Sequence, residues 1–194
     1  DTLHYAAYAI GRYSDGRFDP DEWGRLTFGS SYYAPTVFED ADGHPCVVFW
    51  MRGVQDVAAG WAGAHSLPYR LRVDQGRPVL SPHPDLLRYR RESTSGVIDG
   101  LAADVTWVPG HTLLIWHGTT ATASLTVENA VLTLQLDGEP CQMPYTGGPL
   151  RVIVDGPTVE VSGQCGVVGG PVAAAGASVR FESDSPLDIG ALVR

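Results

Sequence analysis

In the first third of the chain, Asp15, Asp19, Glu39, Asp40, Asp42 and Asp56 are the side chains with the chemistry to donate or accept a proton. Glycosidic cleavage needs two such carboxyls flanking the scissile bond, one of them kept protonated by an apolar setting. All six fall in stretches that read as turns or loops, and Glu39 alone is a candidate for an apolar setting that would raise its pKa. The acidic trio Asp19, Asp21 and Glu22 sits beside Pro20 and reads as a solvated turn. The histidines His4, His44, His65, His83, His111 and His117 lack metal-ligand spacing, and His111 and His117 bracket one predicted strand. Neither a metal site nor a cofactor is expected. GxSxG, HExxH, a phosphate loop and a GxGxxG before a helix are all missing. The 13 basic residues are all arginine, which excludes lysine Schiff-base chemistry. On residue types alone, the catalytic set is empty.

The aromatic residues carry more information. Trp50 closes the apolar run CVVFWM and Trp61 follows a glycine at the start of the next run, so a sheet can bring both to one rim. Flat aromatic rings at such a rim stack on the apolar faces of sugars, and they fill cores equally well. Both roles remain open for Trp50 and Trp61. Trp107 and Trp116 lie inside predicted strands and read as core.

The elements that must position these rings are strands. Residues 3–13 form a strand closing on the Ser14-Asp15-Gly16 turn, and residues 18–31, polar and interrupted by Pro20, read as loop. Residues 33–39 and 45–51 form a hairpin around Asp42-Gly43, whose second arm is apolar enough to be buried on both faces. Residues 52–60 read as loop and 61–80 as another strand pair. Residues 85–91 form a linker. Beyond residue 93, short strands recur between Gly, Pro, Asp and Asn turns, the pattern of a β-sandwich, with the glycines of 166–170 lying between strands and marking turns or bulges, not phosphate contacts. The class is all-β, with units at 1–90 and 91–194.

Composition bounds the partners. With 194 residues, 44% of them hydrophobic, the chain can bury a core, and a formal charge of -9 argues against nucleic acid. No apolar run is long enough for a membrane helix, and no membrane partner is expected. Cys46, Cys141 and Cys165 are an odd, dispersed set that reads as small buried residues and not as a disulfide framework. The chain opens at Asp1 on a strand-like run and looks like part of a longer protein.

The series YAPTVFEDADGHPCVVFWM, GWAGAHSLPYRL and SPHPDLLRYR resembles the end of the propeller domain in glycoside hydrolase family 32, the β-fructosidases. YAIGRYSDGRFDP and LRVIVDGPTVEV are similar to flanking parts of the same family, and Gly-Trp-x-Gly followed by Ser-Leu-Pro is the most specific match. The resemblance implies the last blades of a five-bladed β-propeller followed by a C-terminal β-sandwich, in a parent enzyme that hydrolyses β-fructofuranosides with retention. It also implies that Trp50 lines the sugar pocket, with Tyr33 and Trp61 as further substrate-binding candidates. The family's Asn-Asp-Pro-Asn, Arg-Asp-Pro and Glu-Cys motifs, which carry its catalytic carboxylates, do not occur in this sequence and would precede Asp1. Tyr69 and Arg70 stand where the family has Arg-Glu, so a loop brace by that pair is not expected. Thr27 stands where many members have an acidic residue.

Two functions follow as expectations. The first is the C-terminal portion of a glycoside hydrolase acting on sucrose, sucrose 6-phosphate or fructans, inactive alone and prone to self-associate through exposed propeller edges. The second is a non-catalytic carbohydrate-binding or scaffold β-protein. Either fits a cytoplasmic or a secreted parent.

Overall fold

The computed structural model describes residues 5–138, 140–174 and 176–193, and within them the only helical element is one 3₁₀ turn, Pro84–Arg88. The chain begins with β1 (Ala7–Ser14) and β2 (Arg17–Arg25), paired as an antiparallel hairpin, then the short β3 (Thr27–Phe28). Leu3 and His4 lie outside the described residues. The expected loop at 18–31 is therefore largely strand. Pro20 is accommodated because β2 pairs with β1 alone and Pro20 faces Gly11 where the register shifts. A proline without an N–H is tolerated at such a position.

Next come β4 (Tyr32–Glu39), β5 (Pro45–Asp56), β6 (Trp61–His65), β7 (Tyr69–Asp74) and β8 (Arg77–Pro82). They form one sheet in the order β4-β5-β7-β8, with β6 also paired to β5. β5 overruns its predicted end, because a register shift between Met51 and Gln55 carries the pairing with β6 through to Asp56. Along 47–51 the burial alternates in place of the expected burial on both faces: Val47, Phe49 and Met51 enter a core with Tyr32, Tyr69 and Leu80, while Val48 is half-buried and Trp50 points outward, and only Cys46 ahead of them is buried on the other face. Strand alternation produces this once a single face is covered.

The remaining strands are β9 (Arg90–Ser93), β10 (Val97–Asp99), β11 (Ala102–Trp107), β12 (Thr112–His117), β13 (Thr120–Glu128) and β14 (Val131–Gln135), followed by β15 (Cys141–Pro144), β16 (Leu150–Asp155), β17 (Thr158–Gly163), β18 (Gly166–Pro171), β19 (Ser178–Ser183) and β20 (Leu187–Leu192). They build a six-stranded sheet, β10-β19-β12-β13-β14-β15, and a seven-stranded sheet, β3-β18-β17-β16-β11-β20-β9. One core joins them, with Trp107, Val152 and Val161 from the second sheet and Leu113, Leu125, Leu134 and Phe181 from the first. Residues 166–170, expected between strands as turns or bulges, are strand β18 instead. A side chain at Gly169 would meet the Val159 carbonyl oxygen at 2.4 Å and the Tyr32 hydroxyl at 2.6 Å, so close backbone approach is what the glycine serves. Trp116 is not core: it is half-buried on the outer face, under the Arg180 guanidinium at 4.4 Å.

The seven-stranded sheet turns its other face to the β4–β8 sheet. On β17, Val159 and Val161 enter the shared core, so Glu160 points the opposite way and is 3% exposed. Its Oε1 accepts the Leu67 backbone N–H at 2.8 Å, and its Oε2 accepts the hydroxyls of Tyr69 at 2.8 Å and Tyr32 at 3.2 Å. Burial outweighs these donors and raises the carboxyl from its ordinary 4.5 to about 7. On the same sheet, Asp104, 1% exposed, takes a two-pronged contact from Arg151 and a further one from Arg90 Nε at 3.4 Å.

Glu160 makes the fold sensitive to pH. A carboxyl raised in the folded state stabilises fully below its unfolded value and loses that contribution as pH rises through about 7. Stability is therefore expected to fall by on the order of 3 kcal/mol between pH 5 and pH 8, since each tenfold difference in proton affinity between the folded and unfolded chain is equivalent to about 1.4 kcal/mol. Glu160→Gln should cost stability at pH 5 and flatten that slope. Urea melts of both chains across this range check it, and an equal slope in the variant would refute the assignment.

Candidate functional site

β4 and β5 pair so that Tyr33 faces Trp50 across the ladder, one residue beyond the buried pair Tyr32 and Met51. The neighbouring pair thus projects to the open face, where Tyr33 is 48% and Trp50 43% exposed. The two rings meet edge to face, with centroids 6.0 Å apart at 67°. A register shift follows at once on β4, with Ala34 at φ 46. The Arg52 guanidinium covers Tyr33 at 4.7 Å and its Nη2 donates to the Ser30 carbonyl at 3.0 Å, tying the rim to the segment before β4.

Of the three predicted sugar contacts, Tyr33 and Trp50 are thus brought together. Trp61 is 42% exposed but stands opposite Asp56, at the far end of β6 from His65, which faces Trp50. At about 3.3 Å per residue, the length of β6 separates them by roughly 13 Å.

The turn at the other end of this hairpin is organised by Asp40. Its carboxylate accepts the backbone N–H groups of Asp42 and His44, both at 2.9 Å, and both prongs of Arg70, Nε at 2.9 Å and Nη2 at 2.7 Å. His83 Nε2 approaches at 3.2 Å. The His44 amide, followed by Arg70 and His83, holds the Asp40 carboxyl well below the usual carboxylate range, against some desolvation. Arg70 braces the turn by pairing with Asp40 across the sheet, a different pair from the family's Arg-Glu. Its residue type and the register Cys46 to Arg70 make that contact, and neither is legible from the linear motif.

The ligand atoms of Asp40, Cys46 and His83, and those of Asp40, Asp42 and His44, lie within 4.8 Å of one another. The Arg70 guanidinium already occupies the charge-compensating position on Asp40 that a metal ion would take. Glu39, the candidate for an apolar setting, is exposed. The carboxyl shifted upward is Glu160, about 120 residues further on and inside the interface between sheets. Its Thr-Val-Glu-Val alternation is the signal that places one polar residue on the outer face of an otherwise core-facing strand. Asp56 accepts the Ala59 amide at 2.9 Å and caps the β5–β6 turn. His117 is buried against the Thr122 hydroxyl at 2.7 Å, so it too serves packing.

Residues 1–84 match the Glycosyl hydrolases family 32 N-terminal domain. No curated protein matches the chain in sequence. Among solved structures, the chain superposes on the GH32 β-fructofuranosidase of Bombyx mori with a TM-score of 0.79 at 21% identity, covering 98% of this chain and 47% of that one. A mutant of that enzyme in complex with sucrose gives 0.78 at 21% identity, over 97% and 47%. Sucrose-6-phosphate hydrolase from Lactobacillus gasseri gives 0.70 at 17% identity, over 94% and 46%. The chain spans less than half the length of these structures.

The Asp40 hub can be tested directly. Arg70→Lys keeps the charge and removes the fork, so the melting temperature should fall and hydrogen exchange at the Asp42 and His44 amides should quicken several-fold. Exchange unchanged from the parent would show that the turn is held without Arg70.

Proposed function

We propose that this chain, whose residues 1–84 match the Glycosyl hydrolases family 32 N-terminal domain, is the part of a β-fructofuranoside-hydrolysing enzyme that walls its sugar pocket. The observation that carries this reading is the Tyr33–Trp50 ring pair, half-exposed on one rim of a sheet whose other face is core. A furanoside presents an apolar face that a fixed indole can stack on, while its hydroxyls go to polar groups at the edge. Trp61 is a further contact for a longer substrate. Residues 1–90 are read as the last blades of a five-bladed β-propeller and 91–194 as a C-terminal β-sandwich, a reading supported by the two sheets that close on one core.

Retaining hydrolysis of a glycoside needs a nucleophile and an acid roughly 5 Å apart. In this reading they come from the Asn-Asp-Pro-Asn, Arg-Asp-Pro and Glu-Cys segments, none of which this sequence contains. The chain alone binds a fructose-containing saccharide without cleaving it, and neither nucleic acid nor membrane is a partner. The alternative, a carbohydrate-binding or scaffold protein with no catalytic portion, is favoured by the distribution of carboxylates: the strongly perturbed ones, Asp40 and Glu160, are both engaged in structural contacts. Tyr13 and Trp23, 73% and 68% exposed on the β1–β2 hairpin, are the surface through which copies of the chain would associate.

Sucrose is expected to quench the chain's tryptophan fluorescence on titration, and Trp50→Ala to weaken that binding about tenfold, the equivalent of one stacking contact. Sucrose and levan should not be hydrolysed by the isolated chain. Measurable turnover would overturn the missing-carboxylate reading, and an Asn-Asp-Pro-Asn motif within about two domain lengths upstream in the coding sequence would decide for the hydrolase over the binding module. Light scattering should report a dimer, and a monomer would count against the exposed-edge surface.

A further inference from the structure

The stretch Gly60-Trp61-Ala62-Gly63, which runs from the end of the β5–β6 turn into β6 and is the most specific part of the family resemblance, holds two glycines with nearly the same backbone and different surroundings. φ is +76° at Gly60 and +84° at Gly63, so any other residue is strained at either. A Cβ at Gly60 would meet nothing within 4 Å. At Gly63 it would lie 2.3 Å from Trp50 Nε1 and 3.2 Å from both Cδ1 and Cε2. The indole therefore lies against the bare Cα of Gly63. β5 carries its register shift here, between Met51 and Gln55 opposite Ala64 and Ala62, which brings Gly63 under the ring. On the other side stands the Tyr33 ring, edge-on at 6.0 Å.

We propose that Gly63 is a positioning residue for Trp50: the side chain it lacks leaves the slot in which the indole lies, and together with Tyr33 it sets the plane that the ring presents to sugar. The sugar-facing part of this rests on Trp50 being a saccharide contact, whereas the slot itself does not. Gly63 touches no sugar in this arrangement and acts only through Trp50. Any side chain at 63 must push the ring by roughly 1 Å to restore ordinary contact, and binding constellations tolerate only about 0.5 Å of displacement.

Gly60 supplies the control, because G60A carries the same backbone strain without the clash. In chain labelled with ¹⁵N at its five indoles, the Trp50 Nε1–H signal is assigned by its loss in W50A. G63A is expected to shift that signal more than any other indole and to weaken sucrose binding several-fold, while G60A leaves both near the parent values. In the W50A background the clash has no partner, so G63A and G60A should lower the melting temperature equally. If G63A and G60A move the Trp50 signal alike, or if G63A remains the more destabilising in W50A, the positioning role is overturned. Should G63A alone fail to fold, W50A/G63A is expected to fold as W50A/G60A does, and its failure also overturns the role. A Trp50 signal that sucrose leaves unmoved in the parent chain refutes the sugar contact, not the slot.

Discussion

A single carboxyl, Glu160, ties the two halves of this chain together where no solvent reaches. Three donors converge on it from the β4–β8 sheet: the Leu67 amide and the hydroxyls of Tyr69 and Tyr32. Each of those donors is buried or half-buried and would be left without a partner if the sheets parted in a dry interface, which is costlier than the bond itself is stabilising. The same tyrosines are fixed by aromatic packing, with Tyr32 and Tyr69 on either side of Phe49 at 5.5 and 6.5 Å. The polar interface and the apolar core of the β4–β8 sheet are therefore one assembly, since the rings that fill the core carry the hydroxyls that reach across it.

That assembly bears on the binding rim. Tyr32 and Met51 face inward, and their immediate neighbours Tyr33 and Trp50 face outward in the same register. A slip of one residue between β4 and β5 would reverse both pairs, exposing core and burying the rim. Anchoring Tyr32 on Glu160 thus fixes the register that presents Tyr33 and Trp50 to solvent. The Asp40 hub does the equivalent work at the other end of the hairpin, where Arg70 joins the turn to β7.

Much of this was legible in the sequence, and the failures are physical. The hairpin around Asp42-Gly43 and the recurring strands after residue 93 follow from alternation and turn chemistry, whereas the apolar run CVVFWM left both faces equally suited to burial and so did not say which way Trp50 points. β2 was hidden by Pro20, which usually ends a strand but here sits at a register shift. β18 was hidden by its glycines, which serve close approach of neighbouring backbones and not a turn. Glu160 could not be read as buried, because its burial is made by residues about 90 to 130 positions away. Trp116 has the sequence setting of a core residue, and only the sheet's orientation puts it outside under Arg180.

The two-residue strand Thr27–Phe28 pairs in parallel with Val167 and Val168 of β18. It sits before the β4–β8 sheet in the chain yet belongs to the seven-stranded one, and β9 similarly closes the opposite edge of that sheet beside β20. The seven-stranded sheet therefore cannot be completed until segments separated by most of the chain have met. Such long loop closures slow folding, and they place edge completion late. For anyone exchanging modules between relatives, a cut near residue 90 would take β3 from one edge of that sheet and fall at the start of β9 on the other, so a transplant would have to carry β3 and begin ahead of β9.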